Sequence, residues 1–369
     1  MTAQFGFRVV AADPSGPRAG LLTTPHGEVE TPLFMPVATL ASVKGVDIGR
    51  VADTAAEMLL ADTYHLHLRP GEDLVARSGG LAAFMGWTGP TLTDSGGYQV
   101  FSLARQVRVT DRGAAFRSHL DGSLVDLTPE RAVAIQEKLG ADVAMQLDHV
   151  VGLPADRATV AEAMERSLAW AERSLAARRR PDQAMFGIVQ GGLEPDLRAA
   201  SAGHLRGLPF EGYAVGGLSV GEGPEAMAGA LAATMPHLPP EKPRYLMGVG
   251  KPEDIINAVA AGIDMFDCVL PTRCGRNALL YTFSGPVRLR NARFAEDRSP
   301  VERGCPCYAC RHSRSYLRHL FLAGEMLGPV LASIHNLTFY QRLLRRLREA
   351  IAAGRFGQMR QEFLRTITG

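Results

Sequence analysis

No stretch of this chain approaches the roughly 20 consecutive apolar residues that span a bilayer, so a membrane-crossing helix is excluded. The opening MTAQFGFRVV lacks the basic segment, apolar run and small-residue cleavage site of a secretory signal, and a cytoplasmic protein is expected. Cysteine is scarce. Of the five present, three lie within six positions, whereas a disulfide framework would spread them out. Heptad arrays, low-complexity tracts and short internal repeats are missing, which excludes coiled coils and solenoids.

Net charge is also nearly absent, at +2 over 369 residues, but this balance hides an asymmetry. From Cys268 onward there are 17 Arg, no Lys and six acidic residues, a net +11. The rest carries 23 basic and 32 acidic residues, a net −9. A basic end on an acidic body suits a polyanionic partner meeting one face. A solvated amphipathic helix such as RLLRRLREA (342–350) would give part of the same signal.

What the sequence does have is a series of eight short apolar runs. They are TPLFMPVAT (31–39), EMLLADTYHL (57–66), TLTDSGG (91–97), VAMQLDH (143–149), AMFGIVQGG (184–192), GYAVGGL (212–218), RYLMGVG (244–250) and DMFDCVLPT (264–272). Continuous apolar runs of this length suit strands buried on both faces, as in a parallel sheet. Helical patterns alternate with them. Thr128-Pro129 opens one and Pro252 another, each with proline at the first helical position. Eight such alternations predict an α/β fold, a (β/α)8 TIM barrel formed by residues 1–369 as a single domain. Two interruptions are expected: an inserted hairpin over 98–127 after strand three, around Asp121-Gly122, and an insertion over 285–336 after strand eight. A returning helix over 338–352 would then close the barrel. Active sites of this fold lie at the C-terminal strand ends, where these runs place His65, His67, Asp94, Asp148, Gln190, Gly216-Gly217 and Asp267.

The segment CPCYAC spaces Cys305, Cys307 and Cys310 as C-x-C-x2-C. Three thiolates this close can converge on one Zn2+ at about 2.3 Å each, leaving one tetrahedral position. His335, expected where the returning helix starts, is the preferred fourth ligand, with His312 and His319 as rivals. One zinc per chain is expected. Four protein ligands leave no open position, so the metal would be structural. The insertion is therefore expected to be zinc-binding.

Asp94 in LTDSGGYQVFSL and Asp267 in MFDCVLPTRCGRN are each unremarkable alone, as a turn and a cap. In order, however, DSGGYQ, FGIVQGG, YAVGGLSVGE, RYLMGVG, FDCVLPTR and CxCxxC followed by IHN strongly resemble the tRNA-guanine transglycosylase, or queuine tRNA-ribosyltransferase, family of the bacterial type. The resemblance runs from about Phe5 to the C-terminal helix. It implies a (β/α)8 barrel with a zinc-binding insertion near the C-terminus. It also implies exchange of the wobble guanine of GUN-anticodon tRNAs (Asp, Asn, His, Tyr) for a 7-deazaguanine, in queuosine tRNA modification.

The resemblance assigns roles. Asp267 would be the nucleophile at ribose C1′ and Asp94 the general acid/base, the two-displacement logic of retaining glycosidases. Base binding would fall to Asp94, Asp148, Gln190 and the main chain of Gly217 and Leu218, between Tyr98 and Met247. Arg273 and Arg276 would bind RNA next to the nucleophile, and Arg288, Arg290, Arg293, Arg311 and Arg314 the RNA backbone. A homodimer is implied. The incoming base is expected to be 7-aminomethyl-7-deazaguanine, as Val220 suggests; Val150 and His149 beside Asp148 make queuine the alternative. Cys274 stands where the family commonly has Asn, so contacts there differ.

Two rivals come from the residues themselves. His65-x-His67 at a strand end, with Asp267, could form the metal centre of a barrel hydrolase. A non-catalytic RNA-binding relative would lack the chemical carboxylates, yet both Asp94 and Asp267 are present.

Overall fold

The computed structural model describes residues 5–14, 16–103, 105–219 and 221–368. Val220 lies outside the described residues. Eight parallel strands close into a barrel: β1 (Leu33–Ala38), β2 (Leu59–Ala61), β3 (Thr91–Thr93), β4 (Val143–Met145), β5 (Ala184–Val189), β6 (Gly212–Val215), β7 (Arg244–Leu246) and β8 (Met265–Cys268). Each falls within one of the eight apolar runs. β8 pairs with β1 and β4 with β3, so no edge remains open. Met35, Leu60, Leu92, Met145, Phe186, Ile188, Tyr245 and Met265 fill the interior. This is a packed core, with function left to the rim.

An antiparallel sheet of Gly6–Ala12, Arg18–Thr24 and Gly27–Thr31 precedes β1. It was not read from the sequence. Leu22 and Val29 join the barrel core, and Arg18 forms a two-pronged pair with buried Asp264 at 2.9 and 2.5 Å, just before β8. The sheet therefore plugs the N-terminal end and leaves the C-terminal end as the mouth.

The helix starts follow local chemistry. Thr128 Oγ1 accepts from Arg131 N–H at 3.2 Å, capping Pro129–Leu139, and Gly140 ends that helix at φ +74. Pro252–Ala260 likewise begins on its proline. The stretch 98–127 is richer than one hairpin. The helix Gly97–Leu103 leads into three antiparallel strands, Arg105–Thr110, Gly113–Arg117 and Leu124–Leu127.

Past β8 lie the helix Leu270–Arg276, a two-stranded ribbon (Leu279–Leu280 with Val287–Arg288), short 3-10 turns and the helix Arg314–Ala323. The returning helix spans Leu327–Ala352, beginning eleven residues before the expected 338. Pro329 fits the first helical turn, and Met326 makes no side-chain cap to mark the start. This helix lies against Leu270–Arg276 so closely that a Cβ on Gly275 would sit 2.8 Å from the Ser333 nitrogen. Gln341 Nε2 donates to the Phe34 carbonyl at 3.0 Å, tying the helix to β1. No helix among the described residues is long and apolar enough to cross a membrane.

Candidate active site and metal cluster

The strand ends bring the predicted residues to one rim. Asp94 follows β3, Asp148 lies three residues past β4, Gln190 follows β5, Gly217 and Leu218 follow β6, Met247 follows β7, and Asp267 lies within β8. Tyr98, on the helix after β3, and Met247, after β7, stand on opposite sides of an eight-stranded ring. Tyr98 is half exposed.

Asp267 is held through one oxygen. Its Oδ1 accepts from the Tyr245 hydroxyl at 2.5 Å and from Gly248 N–H at 2.8 Å. Burial pushes its carboxyl above the ordinary aspartate range, while these two donors pull it back. Tyr245 is itself buried, and burial together with the Asp267 charge drives its phenol upward, so it stays a donor. Asp94 is buried on the same rim, just past β3. Its Oδ1 accepts from Thr63 N–H at 2.9 Å and its Oδ2 from Gln99 Nε2 at 2.7 Å. Burial raises it to about 7, with the Asp267 charge adding to the rise and the Thr63 and Gln99 donors opposing it. Asp94 is thus part-protonated near neutrality, while the donors on Asp267 oppose its rise; two buried carboxyls so placed can serve acid and nucleophile chemistry.

Between them lies a buried hydrogen-bonded pair. Gln190 Nε2 donates to Asp148 Oδ2 at 2.7 Å, and Ser95 Oγ donates to Oδ1 at 3.1 Å. Burial lifts Asp148 to about 6 against these two hydrogen bonds. Gly217 sits at φ +66, where a side chain would also collide with Gln190. Arg198, fully buried, donates to the carbonyls of Gly192 (2.8 Å), Val189 (3.2 Å) and Gly216 (2.9 Å). It clamps the loops after β5 and β6, and burial lowers it to about 10. Sequence reasoning missed Tyr245, Gln99, Ser95 and Arg198. Tyr245 stood in RYLMGVG, where period-2 counting from Met247 was the available signal; Ser95 meets Asp148 and Gln99 meets Asp62 only through the fold, 53 and 37 positions apart, and Arg198 reads as an ordinary helix residue.

The arginines divide. Arg273, Arg288, Arg290, Arg293 and Arg311 are exposed, three of them resting on aromatic faces: Arg290 on Phe321, Arg293 on Phe294 and Arg311 on Tyr308. Arg276 is half-buried. Arg314 is committed inward, donating to Asp297 at 3.1 Å and to the Val301 carbonyl at 2.8 Å.

Cys305, Cys307, Cys310 and His335 come together with their ligand atoms all within 4.8 Å of one another. His335 Nδ1 lies 3.9, 3.5 and 3.4 Å from the three sulfurs in that order. A tetrahedron with metal–sulfur bonds of about 2.3 Å and a metal–nitrogen bond of about 2.0 Å has S···N edges of roughly 3.5 Å, so the residues fit a metal. His335 Nε2 lies 2.8 Å from the Tyr281 carbonyl. A carbonyl can only accept, so Nε2 carries the proton and Nδ1 offers its lone pair to the cluster. His335 sits inside the helix Leu327–Ala352, two turns past its start, and not at its beginning as expected. His312 instead packs between the rings of Tyr308 and Tyr316.

The histidine pair is also relocated. β2 ends at Ala61, and Asp62 caps a helix, Thr63–Leu68, so His65 and His67 lie on a helix and not on one face of a strand. Two residues apart on a helix, they point in different directions. His67 Nδ1 bonds Glu72 at 2.8 Å. Among the described residues, only the cysteine–histidine cluster groups three or more potential metal ligands.

The closed parallel barrel, with buried carboxyls gathered at its C-terminal strand ends and a Cys3His cluster beyond β8, places the chain among (β/α)8 enzymes. Comparison with known proteins narrows the class. The family described as "Queuine tRNA-ribosyltransferase" matches residues 13–369, and the chain belongs to that family. It is 52% identical over 359 residues to the queuine tRNA-ribosyltransferase of Moorella thermoacetica, covering 97% of this chain and 96% of the relative. Its likeness to the same-named proteins of Desulforamulus reducens (51% over 349 residues, 94% of both chains) and Thermus thermophilus (52% over 349 residues, 94% and 91%) is of the same order.

Proposed function

We propose that the enzyme is a tRNA-guanine transglycosylase of queuosine synthesis, replacing the wobble guanine of GUN-anticodon tRNAs with a 7-deazaguanine. Asp267 attacks ribose C1′ while Asp94 protonates the departing guanine. The incoming base then gives its proton back to Asp94 and displaces Asp267 from C1′. Two displacements retain the configuration. The observation that carries this reading is two buried carboxyls at one barrel mouth, Asp94 held by Thr63 and Gln99 and Asp267 held by Tyr245 and Gly248.

Asp148 and Gln190 read guanine. Carboxylate oxygens suit its N1–H and 2-amino donors, and leaving such groups unpaired in a buried site is costly. Main-chain groups of Gly217 and Leu218 add to this, and Tyr98 and Met247 stack on the two faces of the base. The target base leaves the anticodon-loop stack to reach them. Arg273 and Arg276 lie on the helix following Asp267 and contact neighbouring nucleotides. The exposed Arg288, Arg290, Arg293 and Arg311 hold the RNA backbone; Arg314 instead supports the insertion.

The cluster metal is zinc, one per chain. Bound by Cys305, Cys307, Cys310 and His335, it would fold the Arg-rich insertion over 285–336 onto the returning helix and take no part in the exchange. Exposed Leu322, Met326 and Leu327 support a homodimer. The cytoplasm is the compartment of its substrate. Incorporation of labelled guanine into a GUN-anticodon tRNA tests the reading. Competition by free 7-aminomethyl-7-deazaguanine against queuine tests the preferred incoming base, for which the former is expected.

A further inference from the structure

One buried carboxylate at the mouth has no part in the roles above. Asp62, at the end of β2, caps the helix Thr63–Leu68 with Oδ1, which accepts from His65 N–H at 2.9 Å. Its other oxygen, Oδ2, accepts from Gln99 Nε2 at 2.7 Å. The same nitrogen donates to Asp94 Oδ2, also at 2.7 Å. A single neutral amide thus bridges two carboxyls that directly follow adjacent strands and are only 5% and 8% exposed.

The surrounding groups supply no compensating cation. His65 Nε2 lies 3.8 Å from Asp62, and burial, with His119 and Lys44 adding, holds that imidazole below its ordinary value and therefore neutral. Tyr64 and Tyr245, the phenols that feel this pair, are both pushed upward and stay uncharged. Asp267 across the mouth adds negative charge. Among the described residues no arginine or lysine forms an ion pair with Asp62 or Asp94. Two buried carboxylates without a cation cannot both ionise freely, although the Gln99 amide favours the ionised form of each; such a pair gives up its protons in two coupled steps.

We propose that Asp62 is a positioning residue for the exchange: bridged through Gln99, Asp62 and Asp94 hold one proton in common, so that Asp94 enters the cycle as an acid. The inference rests on the transglycosylase reading. As C1′–N9 breaks, its electron pair goes to N9, the Asp94 proton follows, and an Asp267 oxygen bonds C1′. Both members of the pair are then anionic, which draws the proton back from N9–H of the incoming base. That base bonds C1′, and the C1′–O bond breaks to restore the Asp267 carboxylate. The pair ends the cycle with the proton it began with. Burial, with the Asp94 charge adding, holds Asp62 well above the ordinary range, in keeping with this arrangement.

The test is Asp62→Asn in the full-length enzyme, because asparagine keeps an oxygen to cap the helix. In guanine exchange, the alkaline limb of kcat/KM is expected to move down by about one pH unit as Asp94 loses its proton more readily, with the low-pH plateau within about threefold of wild type. An unmoved limb, whether activity is kept or uniformly reduced, overturns the proposal. Carboxyl-13C-aspartate NMR without RNA gives a second readout. The Asp94 resonance, identified as the one lost in Asp94→Asn, should titrate above pH 6 in wild type and lower in the Asp62 variant; an unmoved Asp94 titration overturns the proposal. A wild type that exchanges no guanine would defeat the transglycosylase reading, and the NMR titration would still decide on the shared proton.

Discussion

The hydroxyl of Tyr245 donates to Oδ1 of Asp267 across 2.5 Å, and the same oxygen takes the Gly248 N–H, so Oδ2 is left as the oxygen without a hydrogen bond among the described residues. Tyr245 therefore orients the nucleophile and steadies its charge. Hydrogen bonds to charged groups contribute about 1.5–3 kcal/mol. Tyr245→Phe should lower kcat by roughly 10- to 100-fold. It should also raise the acid limb of the pH–rate profile, because Asp267 loses a donor that favours its ionised form. A limb that stays in place with full kcat would remove Tyr245 from the mechanism.

Asp148→Asn turns one acceptor toward guanine into a donor facing donors. With a penalty of about 2–3 kcal/mol, kcat/KM for guanine should fall by about two orders of magnitude. Folding, checked by circular dichroism, should be unchanged. Steady-state exchange over a range of guanine concentrations measures the loss.

Stability should depend on pH through the same carboxyls. Asp94 at about 7 and Asp148 at about 6 lie above the ordinary value near ~4. The folded chain then holds protons that the unfolded chain releases. Their contribution therefore falls as pH rises from about 4 to 7 and is at its most unfavourable above that window. Asp94→Asn should melt higher than wild type at pH 8, by about 2 °C or more, with the gap closing at pH 5. Melting curves at the two pH values check the sign.

Metal removal should act on folding and RNA binding together. Elemental analysis is expected to give one zinc per chain. Chelation, or Cys307→Ser, should loosen residues 285–336 in hydrogen exchange and weaken tRNA binding in a gel-shift assay. Loss of exchange with that segment and tRNA binding intact would assign the metal a chemical role.

The barrel was legible because its strands are largely buried and read as short, mainly apolar runs; Ala184–Val189 is buried at every residue. The carboxylates were legible because they sit where those runs end. Other features depend on contacts that a linear pattern cannot carry. The returning helix begins at Leu327 on Met326, which makes no side-chain cap, so its start left no signal. The sheet over 6–31 leaves its first strand largely exposed and owes its place to Arg18 meeting Asp264, 246 positions away in sequence. Asp62 could be read as a cap for His65, but its bridge to Asp94 exists only because Gln99 is brought between them.

The central claim is that Asp267 bonds covalently to the tRNA ribose. The enzyme, mixed with a GUN-anticodon tRNA and an incoming base too weak to complete the second displacement, should be resolved on a denaturing gel and the adduct mapped by mass spectrometry. The account predicts a protein–RNA species attached at Asp267 that is absent from Asp267→Asn, together with loss of labelled-guanine exchange in Asp267→Ala. Exchange retained by Asp267→Ala, or an adduct mapping to another residue, would contradict it.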